Sequence, residues 1–304
     1  MRRWTPSWSA LTARPRTPAT DVVNAIALYL NPDRPQAVET ARRVAAIAMR
    51  HGIEIALCAS DPDTLGLPGT CDLREAELLL TIGGDGTLLR GARIAYPLGI
   101  PILGVNTGRL GFLTEVEADE DGYAALERTF EGEPAIDERV ALDARVVGSD
   151  DKHLAINDVV VRRGAQARLV PFGVVLDGET IAQLPSDGVI VATPTGSTGY
   201  FLSAGGPIIH PAVDALGVAG LMPHTLFARP LMVPSSATIE ITCNGEIARA
   251  NLETDGVIAA DLHAGDRVVI TRAAAPIRFA RVRPRAFFAR LEDKLRWGAP
   301  IKAQ

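Results

Sequence analysis

The sequence predicts an α/β domain built on an open parallel sheet, then a β-rich, sandwich-like domain, then a C-terminal segment that returns to the first. Three observations predict this. Apolar, strand-like runs alternate with helical patterns up to residue 132. Short strands separated by Gly, Asp and Pro turns follow. The chain then closes on a helical spacing of Phe288, Leu291 and Leu295. The expected divisions are an N-terminal extension at 1–20, the α/β domain at 21–132, the β-rich domain at 133–275 and the returning segment at 276–304.

Taken in order, residues 1–20 are rich in Arg, Ser, Thr and Pro and hold no acidic residue. They lack the apolar run of a secretory signal and read as a disordered extension, although their composition also suits an organelle transit peptide. Residues 22–30 form the first strand pattern. Pro35 opens a helix through His51, closed by Gly52, with Val38, Ala41, Val44, Ala45 and Ala48 on one face. Residues 53–58 read as a second strand. Residues 76–82, apolar except for Glu77 and Thr81, have the pattern of a strand buried on both faces. A helix is expected at 87–95, a strand at 100–105 and a helix at 119–130. In the second domain, strands are expected at 142–147, 154–161, 172–176, 188–192, 238–243 and 267–271. Asp177-Gly178, Asn244-Gly245 and Ala264-Gly265 supply turns, and a last helix covers 285–297.

Composition narrows the function. A formal net charge of -5 offers no basic footprint for nucleic acid. No apolar run approaches the ~20 residues of a membrane helix. Cys58, Cys71 and Cys243 are too scattered for a disulfide framework or a metal-ligand spacing, which suits a reducing cytoplasm, and the five histidines are equally dispersed.

The informative turn is Gly83-Gly84-Asp85-Gly86-Thr87, placed between a buried strand and a helix. Glycines let backbone approach a ligand closely, and amides at a helix start can receive phosphate oxygens. A carboxylate in such a place repels phosphate unless it binds a cation or takes a proton from an attacking hydroxyl, and both are tasks of phosphoryl transfer. Alone, the turn also fits a helix start that Asp85 merely caps. It matches neither the Walker nor the Rossmann glycine pattern. The motif resembles the signature of a kinase superfamily that includes NAD, diacylglycerol and sphingosine kinases.

A second stretch runs from Asp187-Gly188 through Thr193-Pro194-Thr195-Gly196-Ser197-Thr198-Gly199-Tyr200 to Ser203. It offers hydroxyls, amides and one ring, a surface that suits phosphates, riboses and flat bases. This stretch resembles the nucleotide-binding segment of the NAD kinases. Three further segments match in the same order: residues 106–113, Asn157-Asp158, and residues 223–231. The resemblance covers about residues 78 to 290.

The resemblance implies ATP-dependent phosphorylation of NAD, with Mg²⁺ or another divalent cation accompanying ATP, in a cytoplasmic homodimer or homotetramer. It implies Asp85 as general base for the ribose 2′-hydroxyl, Gly86 beside the substrate and Arg90 toward a phosphate. Asn157 and Asp158 correspond to contacts at the adenine and ribose end, Arg168 to a basic ligand contact, and Asp187 to the nicotinamide side. Thr195, Thr198, Gly199, Tyr200 and Ser203 correspond to ribose, ring and phosphate contacts. Three positions depart from the family pattern: Asp158 stands for Glu, Gly199 for Ala and Val257 for Gln. Phe112, flanked by Leu110 and Leu113, reads as core. Two alternatives share parts of the pattern: a lipid or other small-molecule kinase built on the same turn, and a non-catalytic NAD(P)-binding sensor.

Overall fold

A computed structural model describes residues 23–58, 66, 69–108, 111–132, 134–164, 170–245, 249–282 and 287–297. The chain divides into two compact units. One holds the described residues through Glu138 and those from Arg278 onward; the other spans Arg139–Ile277.

The first unit contains β1 (Ala25–Leu30), α1 (Pro35–Arg50), β2 (Glu54–Leu57), β3 (Leu78–Ile82), α2 (Asp85–Ala95), β4 (Ile102–Asn106), β5 (Val116–Glu117), α3 (Glu120–Glu131) and β6 (Ala135–Arg139). Its sheet runs β2-β1-β3-β4, then continues through a late strand to β6, with β5 on β4. The pairings of β1 with β2 and β3, and of β4 with β3 and β5, are parallel. Strand order reverses between β1 and β3, so the carboxyl end of β3 lies at the switch point where open α/β sheets bind ligands. Alternate residues of β1 and β3 (Ile26, Leu28, Leu78, Leu80) pack against Ala41, Val44 and Ala48 of α1. That explains the helical spacing read in the sequence. Fully burying one such Leu or Ile contributes about 1.5–3 kcal/mol.

The second unit continues with β7 (Leu142–Val146), β8 (His153–Ala155), β9 (Asp158–Arg163), β10 (Val170–Leu176), β11 (Glu179–Ser186), β12 (Gly188–Ala192), a one-turn α4 (Tyr200–Ser203), β13 (Ala215–Leu221), β14 (Leu231–Pro234), β15 (Ile239–Cys243), β16 (Arg249–Thr254), β17 (Val257–His263) and β18 (Arg267–Arg272). They form two six-stranded sheets, ordered β11-β10-β15-β18-β7-β8 and β14-β13-β12-β9-β16-β17. Phe172, Ile239 and Ile270 of the first sheet share a core with Val161, Val191 and Leu252 of the second, which makes the sandwich. The chain then returns to the first unit with β19 (Ile277–Arg281), parallel to β4, and α5 (Phe287–Leu295).

Four expectations change. The helix expected from Thr87 begins at Asp85, because Gly84 is the N-cap and its carbonyl already accepts the amides of Thr87 and Leu88. The strand expected at 154–161 is two strands in different sheets, broken at Ile156-Asn157. On α5 the buried residues are Arg290 and Leu291, whereas Phe288 is 63% exposed. Phe112 is half-buried, not core. Residues 1–20, Leu110 and Arg168 lie outside the described residues.

Candidate active site

The Gly-Gly-Asp-Gly-Thr segment carries β3 into α2, so Asp85 stands in the first turn of a helix at the carboxyl edge of the sheet. Its carboxylate is held by three consecutive backbone amides. Oδ2 accepts from Phe112 at 2.8 Å; Oδ1 accepts from Leu113 and Thr114, each at 3.1 Å. A carboxylate offers about four acceptor positions, so one remains, on Oδ2. The Gly111 amide closes the holding turn onto Thr114 Oγ1 at 3.0 Å. A Cβ on Gly111 would sit 1.9 Å from Asp85 Oδ1, which leaves room there for glycine alone.

Gly86 is exposed beside Asp85, with open space where a side chain would go. Arg90, also exposed, hydrogen-bonds the Tyr29 phenol at the end of β1. Burial raises the Tyr29 pKa, and Arg90 partly offsets it.

In the β-rich unit, the break between β8 and β9 is gripped by Asp255. Its carboxylate accepts the amides of Ile156 (3.0 Å), Asn157 (2.7 Å) and Asp158 (3.3 Å). Asp255 itself turns from β16 into β17 with φ 47°, followed by Gly256 at φ 75°. Asp-Gly suits that paired left-handed turn. Thr193 binds the same break from β12: its Oγ1 donates to the Ile156 carbonyl at 2.6 Å and accepts the Gly196 amide at 3.1 Å. A Cβ on Gly196 would lie 2.0 Å from the Asn157 carbonyl oxygen. Asn157 and the 3₁₀ turn Thr195–Thr198 are therefore brought against each other.

Two side chains in this cluster are electrostatically unusual. Asn157 Oδ1 is buried without a hydrogen-bond partner. Asp158 is 6% exposed, and its pKa is pushed up to about 7, first by burial and then by the carboxylates of Asp255 and Glu253.

Past the turn, the fully buried Phe201 anchors α4 while Tyr200 (39% exposed) and Ser203 face outward; Gly199 is exposed and Thr198 half-buried. Asp187 stands apart from this group. It lies at the opposite end of β12, a five-residue strand spanning about 17 Å, and pairs with Arg163 Nε at 2.7 Å.

Sequence reasoning missed the Gly111 seat, the grip of Asp255 and the contact of Arg290 with the Phe112 carbonyl. Each acts across a long sequence separation, so its partner is set by the fold and not by its neighbours in the chain.

A Gly-Gly-Asp-Gly-Thr helix start on an open parallel sheet, and a hydroxyl-rich turn on a β-sandwich, define a nucleotide phosphotransferase. The chain belongs to the NAD kinase family. Residues 58–134 match the ATP-NAD kinase N-terminal domain and residues 156–282 the ATP-NAD kinase C-terminal domain. An NAD kinase of Heliobacterium modesticaldum is 39% identical over 280 residues, which cover 90% of this chain and 99% of the relative. One of Koribacter versatilis is 45% identical over 228 residues, covering 73% and 78%. The fold is shared with a yeast NADH kinase solved with NADH (TM-score 0.81, 22% identity, 93% of this chain and 90% of that one). It is also shared with an Archaeoglobus fulgidus NAD kinase solved with ATP (TM-score 0.70, 25% identity, 90% and 98%). No helix among the described residues is long and apolar enough to cross a membrane.

Proposed function

We propose that the chain transfers the γ-phosphoryl group of ATP to the 2′-hydroxyl of the adenosine ribose of NAD, giving NADP and ADP. Asp85 takes the 2′-hydroxyl proton as the oxygen bonds to the γ-phosphorus and the bond to ADP breaks. A positioned base of this kind contributes roughly 10²–10⁴-fold. The observation that carries the reading is the state of Asp85: fixed by three amides, with one acceptor position left on Oδ2.

The β-rich unit supplies nucleotide-binding groups. Asn157 Oδ1, buried and unpartnered, suits an amino donor such as that of adenine. Asp158, with a pKa near neutrality, offers a ribose hydroxyl either a donor or an acceptor. Thr195, Thr198, the Gly199 amide and Ser203 are assigned to ribose and phosphate, the Tyr200 ring to stacking, and Arg168 and Asp187 to the remaining polar contacts. In the α/β unit, Gly86 lies beside the substrate and Arg90 addresses a phosphate.

A divalent cation neutralises charge on the β- and γ-phosphates when bound. Among the described residues, the His, Cys, Asp and Glu side chains that converge closely enough to hold an ion are Glu54, Cys71 and Glu75. Their thiol does not suit Mg²⁺, and Glu54 opens β2 at the sheet edge opposite Asp85. We assign Mg²⁺ (or another divalent cation) to ATP, whose phosphate charge it would neutralise.

We place the activity in the cytoplasm, with NAD and ATP as partners and a homodimer or homotetramer as the assembly. An NADP-specific coupled assay with several phosphoryl donors, and with NAD and NADH as acceptors, tests the reaction. NADP formation from ATP and NAD is expected; binding of NAD without any NADP formation sinks the proposal.

A further inference from the structure

We infer that Arg290, on the returning helix α5, is a positioning residue for Asp85. The inference rests on Asp85 being the base. Arg290 is 9% exposed. Its guanidinium donates to the Phe112 carbonyl at 2.5 Å and to the Glu115 carboxylate. The Phe112 carbonyl and the Leu113 amide belong to one planar peptide unit, and that amide donates to Asp85 Oδ1 at 3.1 Å. One rigid plane thus joins a permanent cation to the carboxylate. Arg290 fixes the tilt of that plane, and its charge polarises the N–H that the carboxylate receives.

The far side of the brace is anchored too. The Glu115 side chain, 2% exposed, is shared with Arg281 at 3.0 Å, and Arg281 also binds Asp137 at 2.8 Å. Loss of Arg290 therefore leaves Glu115 paired, while the peptide that seats Asp85 loses its hydrogen bond from the Arg290 guanidinium. A 1 Å misplacement of a reacting group can cost about 100-fold in rate, so a loosened seat lowers turnover without weakening substrate binding.

A purely structural ion pair would do neither selectively, and this separates the two roles. kcat, both KM values and Tm are to be measured for Arg290→Met, Arg290→Lys, Arg281→Met and Asp85→Asn. Positioning predicts about 30-fold lower kcat for Arg290→Met, with KM for NAD and ATP within about twofold. Arg281→Met, which spares the Phe112 carbonyl, loses Tm but keeps kcat within about threefold. Arg290→Lys keeps the charge near Glu115 but has no fork to span both acceptors, so it falls between, about fivefold down in kcat.

The inference is overturned if Arg290→Met keeps kcat within threefold. It is equally overturned if both arginine variants lose kcat and gain KM in step with Tm. Should Arg290→Met fail to fold, Arg290→Lys decides: unchanged kcat overturns the inference, and lower kcat at unchanged KM supports it. An active Asp85→Asn would instead remove the base itself. An inactive Asp85→Asn beside a normal Arg290→Met would remove only the positioning role.

Discussion

Two regions of this molecule use the same device for different ends. In the α/β unit Asp85 is held by the amides of Phe112, Leu113 and Thr114; in the β-rich unit Asp255 accepts the amides of Ile156, Asn157 and Asp158. Three successive amides form an anion-binding nest, and each aspartate fills one. In the first nest the held carboxylate is the group proposed to react. In the second the carboxylate is the holder, and the residues it holds, Asn157 and Asp158, are the ones proposed to meet the nucleotide. The difference teaches that an aspartate in an amide nest has no fixed meaning: what matters is which partner retains free valence. Asp85 retains one acceptor position, and Asn157 retains an unpartnered Oδ1.

The contrast predicts that damage to the first nest lowers kcat and damage to the second raises KM. Among changes to the residues that build the two nests, the largest effect is expected from Gly111→Ala. Its Cβ would overlap Asp85 Oδ1, so the carboxylate must leave its seat. Steady-state kinetics should show about 100-fold lower kcat at nearly constant KM. Next comes Asp255→Gly, which keeps the left-handed turn but removes the grip. KM for NAD should rise about tenfold while kcat stays within threefold, a loss comparable to one hydrogen bond to a charged group. If Asp255→Gly lowered kcat alone, the contrast between the nests would collapse.

The smallest effect concerns stability. Asp158 titrates at about 7 in the folded chain against 3.8 as the reference, because burial and two neighbouring carboxylates disfavour its charge. The folded state therefore binds the proton more tightly. Its stabilisation is complete below about pH 4 and is lost as pH rises through 7. Thermal melts from pH 5 to 8 should show the parent losing about 5 °C more than Asp158→Asn. Parallel melting curves for the two proteins would contradict the burial argument.

Much of this was legible in the sequence. The alternation of residues 22–105 gave an open parallel sheet because a strand buried on both faces must be apolar throughout, as β3 is. The glycine-aspartate turn and the Thr193–Tyr200 stretch stood out because each crowds glycines and polar side chains into a short run. The break at Asn157 was not legible. Residues 154–161 look like one strand because the apolar pattern continues through Ile156, and only Asp255, about a hundred residues later, converts it into a crossing between sheets. Arg290 was hidden for a related reason. On an amphipathic helix a charged residue reads as solvent-facing, and its burial becomes evident only once Glu115 and the Phe112 carbonyl are placed beside it. Phe288 misled in the opposite direction: its spacing suited the core, and it is exposed.

The central claim is that the Asp85 carboxylate, and not merely its place in the helix, removes the proton. The direct measurement is kcat for Asp85→Asn together with the NAD dissociation constant by calorimetry. The account predicts turnover lower by about 10²–10⁴-fold with NAD affinity within a few-fold of the parent. Near-parental turnover in a folded, NAD-binding Asp85→Asn protein would contradict it.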